Sequence, residues 1–147
     1  MSRRVSVHHF LLTEVTKPHN TSWRRSDLFG VSYWVDVPED TEFPRTLPRL
    51  QLFTRFYLNR ARPTDFRVRV VWLDRPDDVE VEIGSFGPFT MPFARSATVH
   101  DCSFNLHNIP LRGTGRHRVA LVRERTKAFW KSAEWVVVAR THFYVER

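Results

Sequence analysis

The chain has 147 residues, 41% of them hydrophobic and 14% aromatic, and its 23 basic residues outnumber its 16 acidic ones to give a net charge of +7. This length and apolar content suffice for one packed core, which excludes an intrinsically disordered chain and predicts a single domain over residues 1–147. The positive balance favours anionic partners without deciding which kind.

The number of cysteines and the hydropathy of the chain indicate in which cellular compartment the protein is expected. A single cysteine, Cys102, excludes an intramolecular disulfide and suits a reducing environment. Two histidines and a serine interrupt the N-terminal apolar stretch, which is therefore unlike a secretion signal. The apolar run at 135–139 is far shorter than the roughly 20 residues of a membrane-spanning helix. We expect a cytoplasmic protein without a transmembrane segment.

Alternation of apolar and polar residues predicts four strands in the first half of the chain, at 5–15, 28–37, 50–58 and 66–73. Three prolines in the acidic stretch 38–48 predict a long loop or crossover there. The strands at 50–58 and 66–73 are predicted to form a hairpin with one apolar and one basic face. The residues predicted to face the core are Leu52, Phe56, Val68 and Val70.

The second half predicts four more strands, at 79–83, 97–106, 116–124 and 134–145. A Gly/Pro/Phe-rich segment at 84–93 is predicted to be a loop over one end of the fold. The last strand is apolar on both faces at its start, which indicates a central position in its sheet. About eight strands without a helix predict an all-β fold, a single antiparallel β-sandwich with Greek-key connections.

The stretch between Ile109 and Val122 carries two glycines and then an alternating strand, and Gly113 and Gly115 are predicted to supply the backbone freedom of the turn. It resembles the L-x-x-x-G-x-Y-x-V-x-L pattern of immunoglobulin-like and C2-like sandwich domains at Leu111, Gly115, His117, Val119 and Leu121. The segment 141–146 is also similar to the closing strand of uncharacterised bacterial sandwich domains. The resemblance implies a fold and no catalytic residue. His117 stands in the place of the tyrosine. The pattern therefore does not predict whether the corner hydrogen bond that the tyrosine makes is present here.

The predicted hairpin offers an anion-binding face. Its solvent side carries Arg55, Tyr57, Arg67 and Arg69, and its connector adds Arg60 and Arg62. Guanidinium groups beside an aromatic ring bind phosphate and stack on bases, as in sheet-type single-strand binders. Arginine also keeps an ordinary sheet face solvated, so nucleic-acid binding is here one of two interpretations.

A second candidate is the loop before the last strand, where two aromatic residues lie between two lysines: Lys127, Phe129, Trp130 and Lys131. A tryptophan beside cationic groups is typical of an anchor in a protein interface. The competing interpretation is that these rings fold back over an end of the sandwich.

A third candidate is a metal or thiol site at His100, Cys102 and His107. On a strand, His100 and Cys102 share a face, and His107 returning from a loop would supply a third zinc ligand. The spacing matches no strong zinc motif, and a small buried core cysteine is the competing interpretation.

Known catalytic patterns are absent from the sequence, which contains no G-x-S-x-G, no H-E-x-x-H and no Gly-rich phosphate loop before a helix. We therefore expect a binding or accessory module that is not an enzyme, needs no cofactor and docks another protein through its end loops. The alternatives are binding of an anionic ligand or nucleic acid through the arginines and, with least support, metal-dependent chemistry.

Overall fold

The computed structural model describes residues 4–13, 15–19, 22–29, 34–59, 64–75, 77, 79–91, 99–125 and 134–147. These residues form ten strands: β1 (Arg4–Thr13), β2 (Val15–His19), β3 (Ser22–Phe29), β4 (Trp34–Asp36), β5 (Arg45–Asn59), β6 (Thr64–Trp72), β7 (Val81–Met91), β8 (Val99–Leu111), β9 (Gly115–Arg125) and β10 (Glu134–Glu146). Among them there is no helix, and so none that is long and apolar enough to cross a membrane.

Two sheets face each other across the core. One has the order β1-β5-β8 and the other the order β4-β10-β9-β6-β7, while β2 and β3 pair as a separate ribbon. β4 joins β10 in parallel, and the other strand pairs are antiparallel. The all-β sandwich predicted from the alternation is confirmed, and so is the central place of the last strand, since β10 lies between β4 and β9.

The predicted hairpin between the strands at 50–58 and 66–73 is wrong. β5 belongs to the three-stranded sheet, whereas β6 pairs with β7 and β9 in the five-stranded sheet. Alternation shows which residues share a face of a strand, but it does not identify the partner strand.

Two segments predicted as loops from their prolines contain strand. β7 runs through most of 84–93, and it tolerates Pro88 because it lies at the edge of its sheet. Gly87, with a φ of 114°, adopts a backbone conformation that suits glycine. β5 begins at Arg45 and includes Pro48, in a part of the strand that pairs with β8 and lies beyond the end of its pairing with β1.

Aromatic rings from both sheets interlock in the core. Phe56 and Phe104 come from the three-stranded sheet, and Phe66 and Phe89 come from the five-stranded one. Ring centroids are 5.2 Å apart for Phe56 and Phe66 and also for Phe89 and Phe104. Such contacts add about 0.5–1.5 kcal/mol each beyond the area they bury. The predicted core positions are confirmed as fully buried: Leu52, Phe56, Val68 and Val70.

The turn from β8 into β9 is built on two glycines that serve different purposes. Gly115 has a φ of 99°, in the left-handed region, which confirms the predicted backbone freedom. Gly113 is needed for space instead, because a Cβ there would overlap the indole ring of Trp72. The same ring donates a hydrogen bond from Nε1 to the carbonyl oxygen of Thr114, at 3.0 Å. The end of β6 is thereby held against this turn.

Replacing Gly113→Ala should lower the free energy of unfolding by about 1–3 kcal/mol, because the added methyl group displaces the Trp72 ring. Urea denaturation followed by tryptophan fluorescence measures this loss. The neighbouring Thr114→Ala is the control, since its side chain is exposed and its backbone carbonyl is retained. Equal stability of Gly113→Ala and wild type would contradict the close ring contact.

Candidate functional site

The arginines predicted to share one face lie on opposite sides of the sandwich. Arg55 and Tyr57 belong to β5 in the three-stranded sheet, and Arg67 and Arg69 belong to β6 in the five-stranded sheet. The predicted common face of these four residues is therefore wrong, for the same reason as the hairpin. The other predicted members, Arg60 and Arg62, lie outside the described residues.

Arg55 is engaged within the fold. Its Nε and one terminal nitrogen donate to the two carboxylate oxygens of Asp101, at 2.8 and 2.9 Å. This hydrogen bonding raises the pKa of Arg55, against the opposing effect of burial. A bidentate pair of this kind joins β5 to β8 and leaves little of the guanidinium for a ligand.

Arg67 and Arg69 instead lie on the same face of the sheet as arginines from two neighbouring strands. In the register of the sheet, Ala120 of β9 lies opposite Arg69 on one side and Arg140 of β10 on the other. Residues directly opposite one another share a face, so these strands present one cationic surface. We call this surface the basic face, and it consists of Arg67, Arg69, Arg116, Arg118 and Arg140.

Acidic residues compensate one side of the basic face. Arg118 pairs with Glu80 at 2.9 Å, and Arg69 lies 3.8 Å from Glu82, so both carboxylates stand on the β7 side. Arg116 lies 4.0 Å from Asp74 in the segment that follows β6. On the other side, exposed Arg140 forms no ion pair with a described carboxylate. Among the described residues, the basic-face arginines without a carboxylate partner are therefore Arg67 on β6 and Arg140 on β10.

His142 of β10 lies near three of these arginines, Arg116, Arg118 and Arg140. It lies opposite Arg118 and is partly exposed. Burial lowers its pKa, and the nearby charges of Arg116, Arg118 and Arg140 lower it further. A like charge disfavours the protonated imidazole, so burial and these three arginines both favour the neutral form of His142.

Aromatic side chains border the basic face at its β4 and β10 side. Trp34 stacks on Tyr144 with ring centroids 4.7 Å apart, and 53% of Trp34 remains exposed. The guanidinium carbon of Arg67 lies 5.1 Å from the ring centroid of Trp135. Sequence reasoning missed Arg116, Arg118 and Arg140, although their alternation with the core residues Val119, Leu121 and Phe143 is a signal that could have found them.

The predicted metal ligands do not converge. His100 and Cys102 lie opposite the core residues Phe56 and Thr54, so they point inward, whereas His107 is exposed. Cys102 and His107 are five positions apart, and the period of two in a strand puts residues at an odd spacing on opposite faces. Within the described residues, no three of the His, Cys, Asp and Glu side chains form a group that could hold a metal ion.

Cys102 is an inert thiol in this fold. Its side chain packs against the core, and burial together with the charge of Asp101 raises its pKa to about 12. The thiolate is the reactive form of cysteine, and at neutral pH this environment suppresses it.

His117 occupies the corner where the related pattern has a tyrosine. Its side chain is fully buried and stacks on Phe143, with centroids 4.7 Å apart, and on Trp72 at 6.5 Å. Nδ1 lies 3.0 Å from the carbonyl oxygen of Gly115, which can only accept, so Nδ1 carries the proton. The imidazole thus makes a corner hydrogen bond of its own, while burial lowers its pKa and Nε2 has no hydrogen-bond partner among the described residues.

The last predicted site, formed by Lys127, Phe129, Trp130 and Lys131, lies outside the described residues. Protein docking through this loop stays a prediction.

Comparison with known proteins finds solved structures to which the chain is similar. It is similar to an immunoglobulin-like protein from Pseudomonas aeruginosa, with 10% identity, 97% of both chains covered and a TM-score of 0.40. It is also similar to the alkylpurine DNA glycosylase AlkC of Pseudomonas fluorescens, solved with DNA containing an abasic site analog, at 10% identity and a TM-score of 0.48.

That second match covers 97% of this chain and 30% of the glycosylase, so the chain spans less than a third of the glycosylase's length. No family model matches the sequence, and no curated protein shows significant similarity to it. At 10% identity, both structural likenesses concern the fold alone.

Neutral His117 should make the fold sensitive to acid. Below about pH 6.5 this histidine binds a proton in the unfolded chain, whereas in the folded chain burial disfavours its protonation. The free energy of unfolding should therefore fall as the pH drops from 7 to 5, by at most about 1.4 kcal/mol per pH unit for this group. Urea midpoints measured across this range test the effect, and His117→Phe should reduce the slope.

Exposed His107→Gln is the control and should keep the wild-type slope. His142, whose pKa is also lowered, contributes a remaining dependence in both variants. An unchanged slope in His117→Phe would contradict a buried neutral imidazole at position 117.

The Cys102 thiol should fail to react with a disulfide reagent such as DTNB at pH 8 in the folded protein and should react fully in guanidinium chloride, because burial suppresses its thiolate. Release of the thiolate chromophore gives the extent of reaction. Asn105→Cys supplies an exposed thiol on the same strand and should react without denaturant. Rapid modification of wild type would contradict the burial of Cys102.

Proposed function

We propose that this β-sandwich is a non-catalytic binding module whose basic face binds the phosphate backbone of a nucleic acid. The observation that carries the proposal is that five arginines from three adjacent strands share one face of the five-stranded sheet. Each guanidinium offers planar donors that match phosphate oxygens, and together they attract a polyanion from a distance. This is the predicted anion-binding function, in which Arg67 and Arg69 are retained and the other arginines come from β9 and β10.

The shape of the surface favours a single strand. A broad sheet does not fit the major groove of a duplex, which is about 12 Å wide and admits a helix or a two-stranded ribbon. A single strand can lie across a sheet, with its phosphates on cations and its bases stacked on aromatic rings. Exposed Trp34 on Tyr144 supplies a stacking surface at the border of the basic face.

The distribution of acidic residues favours one path for the strand. Glu80 and Glu82 on the β7 side would repel phosphates, and each is already paired with an arginine. Arg140 and the aromatic border lie on the other side. The nucleic acid therefore crosses β9 and β10 toward β4.

Replacing Arg67 and Arg140 with Gln should weaken binding of a fluorescein-labelled 20-nucleotide single strand, measured by fluorescence anisotropy between 50 and 200 mM salt. Binding releases fewer counterions when a phosphate contact is lost. The slope of log K against log salt should therefore become shallower by about 0.7 per arginine. The affinity at 50 mM salt should fall at least tenfold.

The matched control is Arg49→Gln, which removes one exposed arginine from the other sheet and should bind as wild type does. Trp34→Ala should weaken binding while the salt slope stays unchanged, since a stacked base carries no charge. The proposal is refuted if wild type does not bind at 50 mM salt, or if the double variant binds as tightly as Arg49→Gln. Preference for an acidic protein over the oligonucleotide would also refute it.

A further inference from the structure

A pocket of about 530 Å³ opens at the end of the sandwich where β8 turns into β9. Its wall combines aromatic and apolar side chains with two guanidinium groups: Phe43, Pro44, Trp72, Arg75, Val81 and Arg112. Pockets of roughly 300–1,000 Å³ with mainly apolar walls and a few polar groups are typical of small-molecule sites.

One of the two positive charges in this pocket wall is uncompensated among the described residues. No carboxylate belongs to its wall as described. Arg75 is neutralised by Asp77 at 2.9 Å. Arg112, in contrast, is exposed and has neither an ion pair nor a side-chain hydrogen bond among the described residues. A third guanidinium, that of Arg147, lies 5.1 Å from the ring centroid of Phe43.

The aromatic part of the wall is formed in advance of any ligand. The Trp72 ring is fixed by its hydrogen bond to Thr114, by its contact with Gly113 and by the imidazole of His117 stacked at 6.5 Å. A wall that is already rigid does not lose conformational entropy when a ligand binds, which strengthens binding. A planar group can therefore rest on Trp72 without rearranging the corner.

We propose that this pocket binds a small organic anion with a planar apolar body, whose ring system lies against Trp72 and Phe43 and whose acidic group contacts Arg112. The walls select an apolar body, and the unpaired guanidinium selects the negative charge. None of the pocket residues belongs to the basic face, so this site is independent of nucleic-acid binding.

A pair of fluorescent probes tests the proposal: 1-anilinonaphthalene-8-sulfonate is the anionic probe, and N-phenyl-1-naphthylamine is the same ring system without the sulfonate. Titration should give saturable binding of the anionic probe at one site. Arg112→Gln should weaken that binding about tenfold, as expected for loss of a hydrogen bond to a charged group, and should leave the neutral probe unaffected.

Val81→Phe should fill the pocket and reduce the binding of both probes, with urea denaturation to establish that the variant is folded. Excess oligonucleotide should not displace the anionic probe, and the Arg67/Arg140 double variant should bind the probe as wild type does. These two results distinguish failure of the pocket proposal from failure of the nucleic-acid proposal. Three results would each overturn the pocket proposal: no saturable binding of the anionic probe, equal affinity of Arg112→Gln and wild type, or displacement of the probe by the oligonucleotide.

Discussion

The packing of the Trp72 indole against the turn between β8 and β9 is the contact on which much of this molecule depends. Trp72 ends β6 in one sheet, and the turn carries the chain over from the other sheet, so the contact joins the two layers at a corner. It works because Gly113 has no side chain to occupy that space. A carbonyl acceptor and a stacked imidazole then fix the ring from two further directions.

Both proposed sites derive from this corner. It determines where β9 begins, and because side chains alternate along a strand, His117 and Val119 then face the core while Arg116 and Arg118 face solvent. A slip of one residue would exchange these faces and bury two arginines, at a cost no packing in the core could offset. The Trp72 ring also forms part of the pocket wall.

The sequence predicts the faces of strands well and their partners poorly. The alternation identifies Leu52, Phe56, Val68 and Val70 as core, because burial acts on each residue separately. The pairing of β6 with β9 rather than β5 depends on residues some fifty positions apart along the chain, which no local pattern encodes. The basic face was missed for this reason, as its arginines come from three strands.

Net charge likewise says less than the placement of each charge. Arg55 and Arg140 are chemically identical and both alternate with apolar residues, yet Arg55 is held by Asp101 while Arg140 lies in an excess of positive charge. Asp101 is 46 residues from Arg55 in sequence, so the difference arises from strand register alone. The formal charge of +7 therefore includes two kinds of arginine. Some form ion pairs within the fold, and others are available to a ligand. Only the register separates the two groups, and it places arginines without a described carboxylate partner on β6, on β10 and at the corner beside Trp72.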